Sequence, residues 1–102
     1  MLVLVAIATS SPAVAGGDPD AAKSIVAEHC TACHIVPGYP PRHERAAVNA
    51  PPFQTIADQP DVYTHDRLKA FLRKPHFPMK SFILSPSDID NLIAFIDELR
   101  AD

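Results

Sequence analysis

Apolar positions along this chain recur with a helical period, and nowhere with the alternation of a strand. Ala22, Ile25, Val26 and His29 fall on one face. Asp18 before Pro19 supplies a helix start, an N-cap acid ahead of a proline at the first helical position, with Asp20 adding favourable charge. That first helix is expected to run into Cys30 and Cys33 and to stop before Pro37-Gly38. Residues 37–52 hold five prolines and read as a meandering loop. Phe53 to Ala57 fits one or two helical turns. Thr64 caps a further helix to about Arg73 that buries Leu68, Phe71 and Leu72 and is ended by Pro75. Residues 74–84 read as extended loop. Ser85-Pro86-Ser87-Asp88 then forms a capping box, and Ile89, Leu92, Ile93, Ile96 and Leu99 mark the apolar face of a last helix. The fold class expected is all-α.

Size changes the picture. With 102 residues, 47% of them hydrophobic and 21% charged, the chain reads as one globular domain. Helices this few, joined by loops this long, close only a thin core, so a staple such as a disulfide, a metal or a covalent cofactor is expected. The first fifteen residues, MLVLVAIATSSPAVA, are apolar and end in the small-residue pattern Ala13-Val14-Ala15, read as a signal peptide cut before Gly16. No Lys or Arg precedes the apolar run, which points to a start upstream of Met1 or to trimming. The run is too short to cross about 30 Å of hydrocarbon as a helix. Residues 16–102 are then the mature domain, in an exported, periplasmic compartment where disulfides and covalent cofactors persist.

A net charge of −3 without a basic stripe excludes nucleic acid as a partner. The local distribution says more. Arg67, Lys69, Arg73, Lys74 and Lys80 crowd one segment, whereas Asp88, Asp90, Asp97, Glu98 and Asp102 dominate the end, so the molecule is expected to be a dipole.

Both cysteines of the chain lie in "HCTACHIVPG", residues 29–38. Zinc needs about four protein ligands, and no second cysteine pair or finger-spaced histidine pair exists. A thioredoxin-like redox pair needs a strand and helix around it, and no strand is offered. A Cys30–Cys33 disulfide closes too short a loop to stabilise much. Attachment of a haem explains the histidine as well. Thiols one helical turn apart reach the two vinyl groups of a protoporphyrin, and the imidazole of His34 falls beneath the iron as its proximal ligand.

At this point the chain resembles class I c-type cytochromes. The likeness is carried by "CTACH" at 30–34 after an N-terminal helix, "APPF" at 50–53, "PHFPMKSFILSPSDIDNLIAFIDEL" at 75–99, and the exported leader. It covers essentially the whole mature chain, and it departs from better-known members in having no tryptophan and no glycine beside the proline of "APPF". The resemblance implies a small fold in which the first and last helices cross and pack around a crevice holding one haem c. It implies a late methionine as second axial ligand, and Met79 fits, sitting 45 residues beyond His34. His76 is the competing ligand and would give a lower potential, within the roughly 0.8 V that axial ligands span. One of Pro37, Pro51 and Pro52 is expected to offer its carbonyl to the far nitrogen of His34. Phe53, Phe71, Phe77 and Phe82 are candidate walls of the pocket or ordinary core, and His29, His43 and His65 read as solvated or helix-terminal.

With both axial positions filled by protein the iron has no open site, so the chain reads as a one-electron carrier and not an enzyme. The basic segment 67–80 either steers encounters with an acidic patch on redox partner proteins, an attraction that salt screens, or is a solvated helix face. Two alternatives stand beside this: a haem-based ligand sensor with an open sixth position, and a small haem subunit of a larger dehydrogenase or oxidase.

Overall fold

The computed structural model describes residues 16–41, 50–74 and 84–101. Among these residues the secondary structure is entirely helical, as the periodicity predicts. A 3₁₀ turn at Pro19–Ala22 leads directly into α1 (Lys23–Glu28), and a second 3₁₀ turn at Cys30–Ala32 follows. After these come α2 (Phe53–Asp58), α3 (His65–Arg73) and α4 (Pro86–Glu98). None of the described helices is long and apolar enough to cross a membrane.

The first helix is shorter than its apolar face suggests: it is α-helical for six residues and tightens into 3₁₀ geometry at both ends. The cause is local. Pro19 has no N–H to give, and Asp18 Oδ1 accepts the Asp20 N–H at 3.0 Å, which satisfies the first turn without a full α ladder. At the other end, 3₁₀ bonds satisfy carbonyls that a longer helix would have paired.

The amino-terminal segment lies against α4. Gly17 N–H donates to Asp90 O at 3.3 Å, and Asp18 N–H donates to Asn91 Oδ1 at 2.7 Å. Gly17 must be a glycine here, since a Cβ would collide with the backbone of Asn91. One turn on, Ala22 and Val26 are fully buried in the same core as Ile89, Leu92, Ile93 and Ile96 of α4. The first and last helical segments thus pack together, the arrangement the sequence leads one to expect.

Two residues of α4 that the simplest apolar stripe omits, Ala94 and Phe95, are also buried. Phe95 stands three residues after Leu92 and four before Leu99, so helical spacing alone predicts its burial. Its ring meets Tyr39 edge-on at 6.1 Å between centroids and Phe53 at 6.4 Å. The end of the chain is fastened to α2: Gln54 Nε2 donates to Leu99 O at 2.6 Å, Arg100 Nε to Ala57 O at 3.2 Å, and Ala101 N–H to Asp58 Oδ1 at 2.9 Å.

α3 starts on Thr64, whose hydroxyl accepts the Arg67 N–H at 3.2 Å, and ends at Lys74, extended as a residue before proline must be. α4 starts on a reciprocal capping box. Ser85 Oγ accepts the Asp88 N–H and Asp88 Oδ2 accepts the Ser85 N–H, both at 3.1 Å. Ser85→Ala removes the first of these bonds and is expected to cost about 1 kcal/mol, read as a melting temperature about 4–8 °C lower in a domain of this size. An unchanged melting temperature would show that α4 does not depend on its cap.

Charges that sit in separate blocks along the chain meet across the seam between α3 and α4. His65 Nε2 lies 2.9 Å from Asp97 Oδ2, and Lys69 Nζ 4.0 Å from Asp90 Oδ1. The dipole expected from the sequence is thereby partly cancelled.

Candidate functional site

Three of the residues singled out by their spacing are gathered in one turn. Cys33 N–H and His34 N–H both donate to Cys30 O, at 3.2 and 2.9 Å, which winds Cys30, Cys33 and His34 about a single carbonyl. Thr31 anchors that turn to the preceding helix: its buried hydroxyl donates to Ala27 O at 2.9 Å. Both thiols are free. Burial pushes the Cys30 thiol up to about 12, which keeps it protonated at neutral pH. Cys33 is half-buried.

The imidazole of His34 is held from outside the turn. Its Nδ1 lies 2.7 Å from Pro51 O. A carbonyl oxygen can only accept, so Nδ1 carries the proton and Nε2 keeps the lone pair that a metal needs. Burial lowers the imidazole's proton affinity, with the Pro51 carbonyl acting in the opposite direction, so His34 is neutral at pH 7 and fit to ligate. Of the three candidate prolines, Pro51 is the one whose carbonyl faces the ring. A neighbouring bond explains why: Phe53 N–H donates to Ile35 O at 2.9 Å, so residues 34 and 35 are clamped to residues 51 and 53 by two parallel ties. The Phe53 ring lies 5.0 Å from the imidazole, tilted 57°, and backs it.

Cys30 and His34 open onto a cavity of about 300 Å³, within the roughly 300–1,000 Å³ of small-molecule sites. Its wall is mostly apolar and comes from every helix after α1: Phe53 and Ile56 of α2, Leu68, Phe71 and Leu72 of α3, Leu92 and Ile96 of α4. Phe53 and Phe71, each expected as pocket wall or core, both line this cavity; Phe53 is buried, and Phe71 is 39% exposed. Two polar residues that the sequence reading did not assign to the pocket complete it, Tyr63 and Arg67. The Arg67 guanidinium carbon stands 5.1 Å over the Tyr63 ring while Nη1 donates to Val62 O at 2.8 Å. The sequence places Arg67 in the basic segment 67–80; its contacts with Val62 and Tyr63, which precede α3, are made by the folded chain.

His29 is exposed and His65 stands at the first position of α3, bonded to Asp97. Met79, His76, Phe77, Phe82, Lys80, His43 and the leader 1–15 lie outside the described residues. Among the described residues no cluster of three or more His, Cys, Asp or Glu side chains gathers around a point where a bare ion would sit.

Residues 19–100 match the model of the Cytochrome c family, which spans both the thiol turn and α4. The chain belongs to the cytochrome c family. A curated relative, Cytochrome c-552 of Bradyrhizobium diazoefficiens, is 30% identical over 98 residues, covering 96% of this chain and 90% of that protein. No solved structure matches the chain. Membership makes this cytochrome a haem electron carrier rather than an enzyme, with a covalently bound haem c. The residues present fit such a group on chemical grounds: two free thiols and a neutral imidazole with an unprotonated nitrogen in one turn, beside an apolar cavity.

Proposed function

We propose that this cytochrome shuttles single electrons between redox proteins in an exported compartment, with its one haem bonded through Cys30 and Cys33 and ligated by His34 and Met79. The group supplies a one-electron couple at its iron; the chain's own residues orient it and keep water from it. The observation that carries the reading is the 2.7 Å contact of His34 Nδ1 with Pro51 O. It leaves Nε2 as the ligating atom, fixes the ring plane, and raises the basicity of the imidazole. Cys30 and Cys33, held on the same turn, would bond the group covalently, and Phe53, Ile56, Leu68, Leu92 and Ile96 would keep water from it.

Met79 completes the ligand set as a thioether, which favours the reduced state relative to a histidine and raises the potential. His76 is three residues earlier and is the competitor that a test must separate. The basic segment 67–80 offers docking charge for an acidic surface on a redox partner. The leader 1–15 is removed on export, leaving residues 16–102.

Carbon monoxide binding to the reduced protein tests the ligand set. The wild-type chain is expected to bind it slowly and weakly, and Met79→Ala to bind it rapidly and to lose the methionine–iron charge-transfer band. His76→Ala is expected to retain that band. Rapid binding by the unaltered protein would mean an open sixth position and a ligand sensor, and absence of the band from the unaltered protein, with rapid binding gained in His76→Ala and not in Met79→Ala, would exchange the two roles.

A further inference from the structure

On the side of the seam between α3 and α4 where the chain begins its described course lies a second cavity of about 220 Å³, with Ile93 and Ala94 in its wall. Gly16 forms part of its wall, together with His65 and Lys69 of α3 and Asp90 and Asp97 of α4. We infer that hydrolysis of the Ala15–Gly16 peptide bond creates a docking group for this cavity: the new α-ammonium of Gly16 seats against the carboxylate of Asp90, pinning the mature amino terminus to α4. The inference rests on the leader being cut after Ala15, and adds to it a structural role for the end so produced.

Two observations support it. The backbone just beyond the cut is already held: Gly17 N–H bonds Asp90 O at 3.3 Å, Asp18 N–H bonds Asn91 Oδ1 at 2.7 Å, and only a glycine can lie so close to Asn91. An amine one residue upstream of such a clamp has little freedom to leave the cavity's lip. The Asp90 carboxylate is also the less engaged of the two that line the cavity. Asp97 is met by His65 at 2.9 Å and by Arg100, whose Nη2 lies 3.6 Å from Asp97 Oδ1, whereas Lys69 meets Asp90 only at 4.0 Å and both of those side chains are about half exposed, so Asp90 has room for a nearer cation. While the bond to Ala15 is intact, the Gly16 nitrogen is a neutral amide and supplies no charge. Hydrolysis by a leader peptidase consumes one water and yields the Ala15 carboxylate and the Gly16 ammonium, so the ion pair exists only in the processed protein.

The test uses the exported, processed holoprotein. Its intact mass is expected to correspond to a chain starting at Gly16; a start elsewhere overturns the inference at its first step. An NMR titration of the Gly16 Cα resonance is then expected to give a pKa about 0.5 units above the ordinary α-amino range of roughly 7.7–8.0. Asp90→Asn should return it to that range, Asp97→Asn should lower it less, and Lys69→Gln should raise it further by removing the competitor. His65, the remaining titratable group facing the cavity, is followed in the same spectra so that its own transition is not mistaken for the amine's. A normal amine pKa that ignores Asp90→Asn and Lys69→Gln would overturn the docking, while leaving the cut site and the haem assignment standing.

Discussion

Exchanging both thiols, as Cys30→Ala with Cys33→Ala, is expected to give an exported chain with no covalently bound haem and no stable fold. The cavity beside Cys30 is walled by side chains from α2, α3 and α4. These helices are short, at six, nine and thirteen residues, and helices of under about 12–15 residues are marginal in water without tertiary packing. A large apolar group fixed in the cavity lets the three walls bury against one surface, and a free haem held by His34 alone is lost by dilution where a thioether is not. The single variants should differ from the double one: with one thiol left, one covalent bond remains possible and haem should persist at reduced yield. Haem staining after denaturing electrophoresis reads the covalent bond, and far-ultraviolet circular dichroism of the same preparation reads the helices. A double variant that is colourless yet as helical and as cooperative in unfolding as the parent would remove the claim that the haem completes the core.

Phe53→Ala is expected to cost about 3–5 kcal/mol, the usual range for truncating a buried phenylalanine, against a total stability of roughly 5–15 kcal/mol for a small domain. Phe53 is 5% exposed and does three things at once. Its ring packs against Phe95 of α4, it lines the cavity, and it backs the imidazole of His34 at 5.0 Å. Its N–H tie to Ile35 O belongs to the backbone and survives the substitution. The loss therefore reports the ring and not the clamp. In urea the midpoint should fall with little change in slope. Because the ring also braces the proximal histidine, the variant should show a shifted reduction potential, an effect that a merely structural residue elsewhere in the core would not produce. Phe95→Ala supplies that comparison, since Phe95 packs on Phe53 without meeting His34. A loss below about 1 kcal/mol would mean that the site collapses around the missing ring.

The clamp between residues 34–35 and 51–53 fixes the imidazole that the sequence motif supplies. A CxxCH turn supplies thiols and an imidazole at the right spacing, but the imidazole of an isolated turn rotates and exchanges its proton between nitrogens. Pro51, followed by a second proline, is confined to extended backbone, so its carbonyl is presented at a defined angle. The bond it accepts from Nδ1 selects the tautomer and leaves the lone pair on Nε2.

Much of this protein follows from local chemistry alone. The helical class, the caps at Asp18, Thr64 and Ser85, the stop before Pro75 and the apolar face of α4 all depend on residues within one or two turns of each other, where spacing and side-chain type decide the outcome. The thiol turn is equally local, so Cys30, Cys33 and His34 could be named together and the family inferred from them. What required the folded chain were relations between residues far apart in sequence. Which of three prolines meets His34 depends on how residues 34 and 51 are brought together, since each proline carries the same carbonyl. Arg67 lines the cavity because α3 packs on α4 with one particular rotation, which also decides for Phe71 between the two places expected of it, pocket wall and core, a choice that the helix's own amphipathic pattern leaves open. The pairing of Lys69 with Asp90 and of His65 with Asp97 is of the same kind: opposite charges placed in separate segments by the sequence are brought face to face by packing.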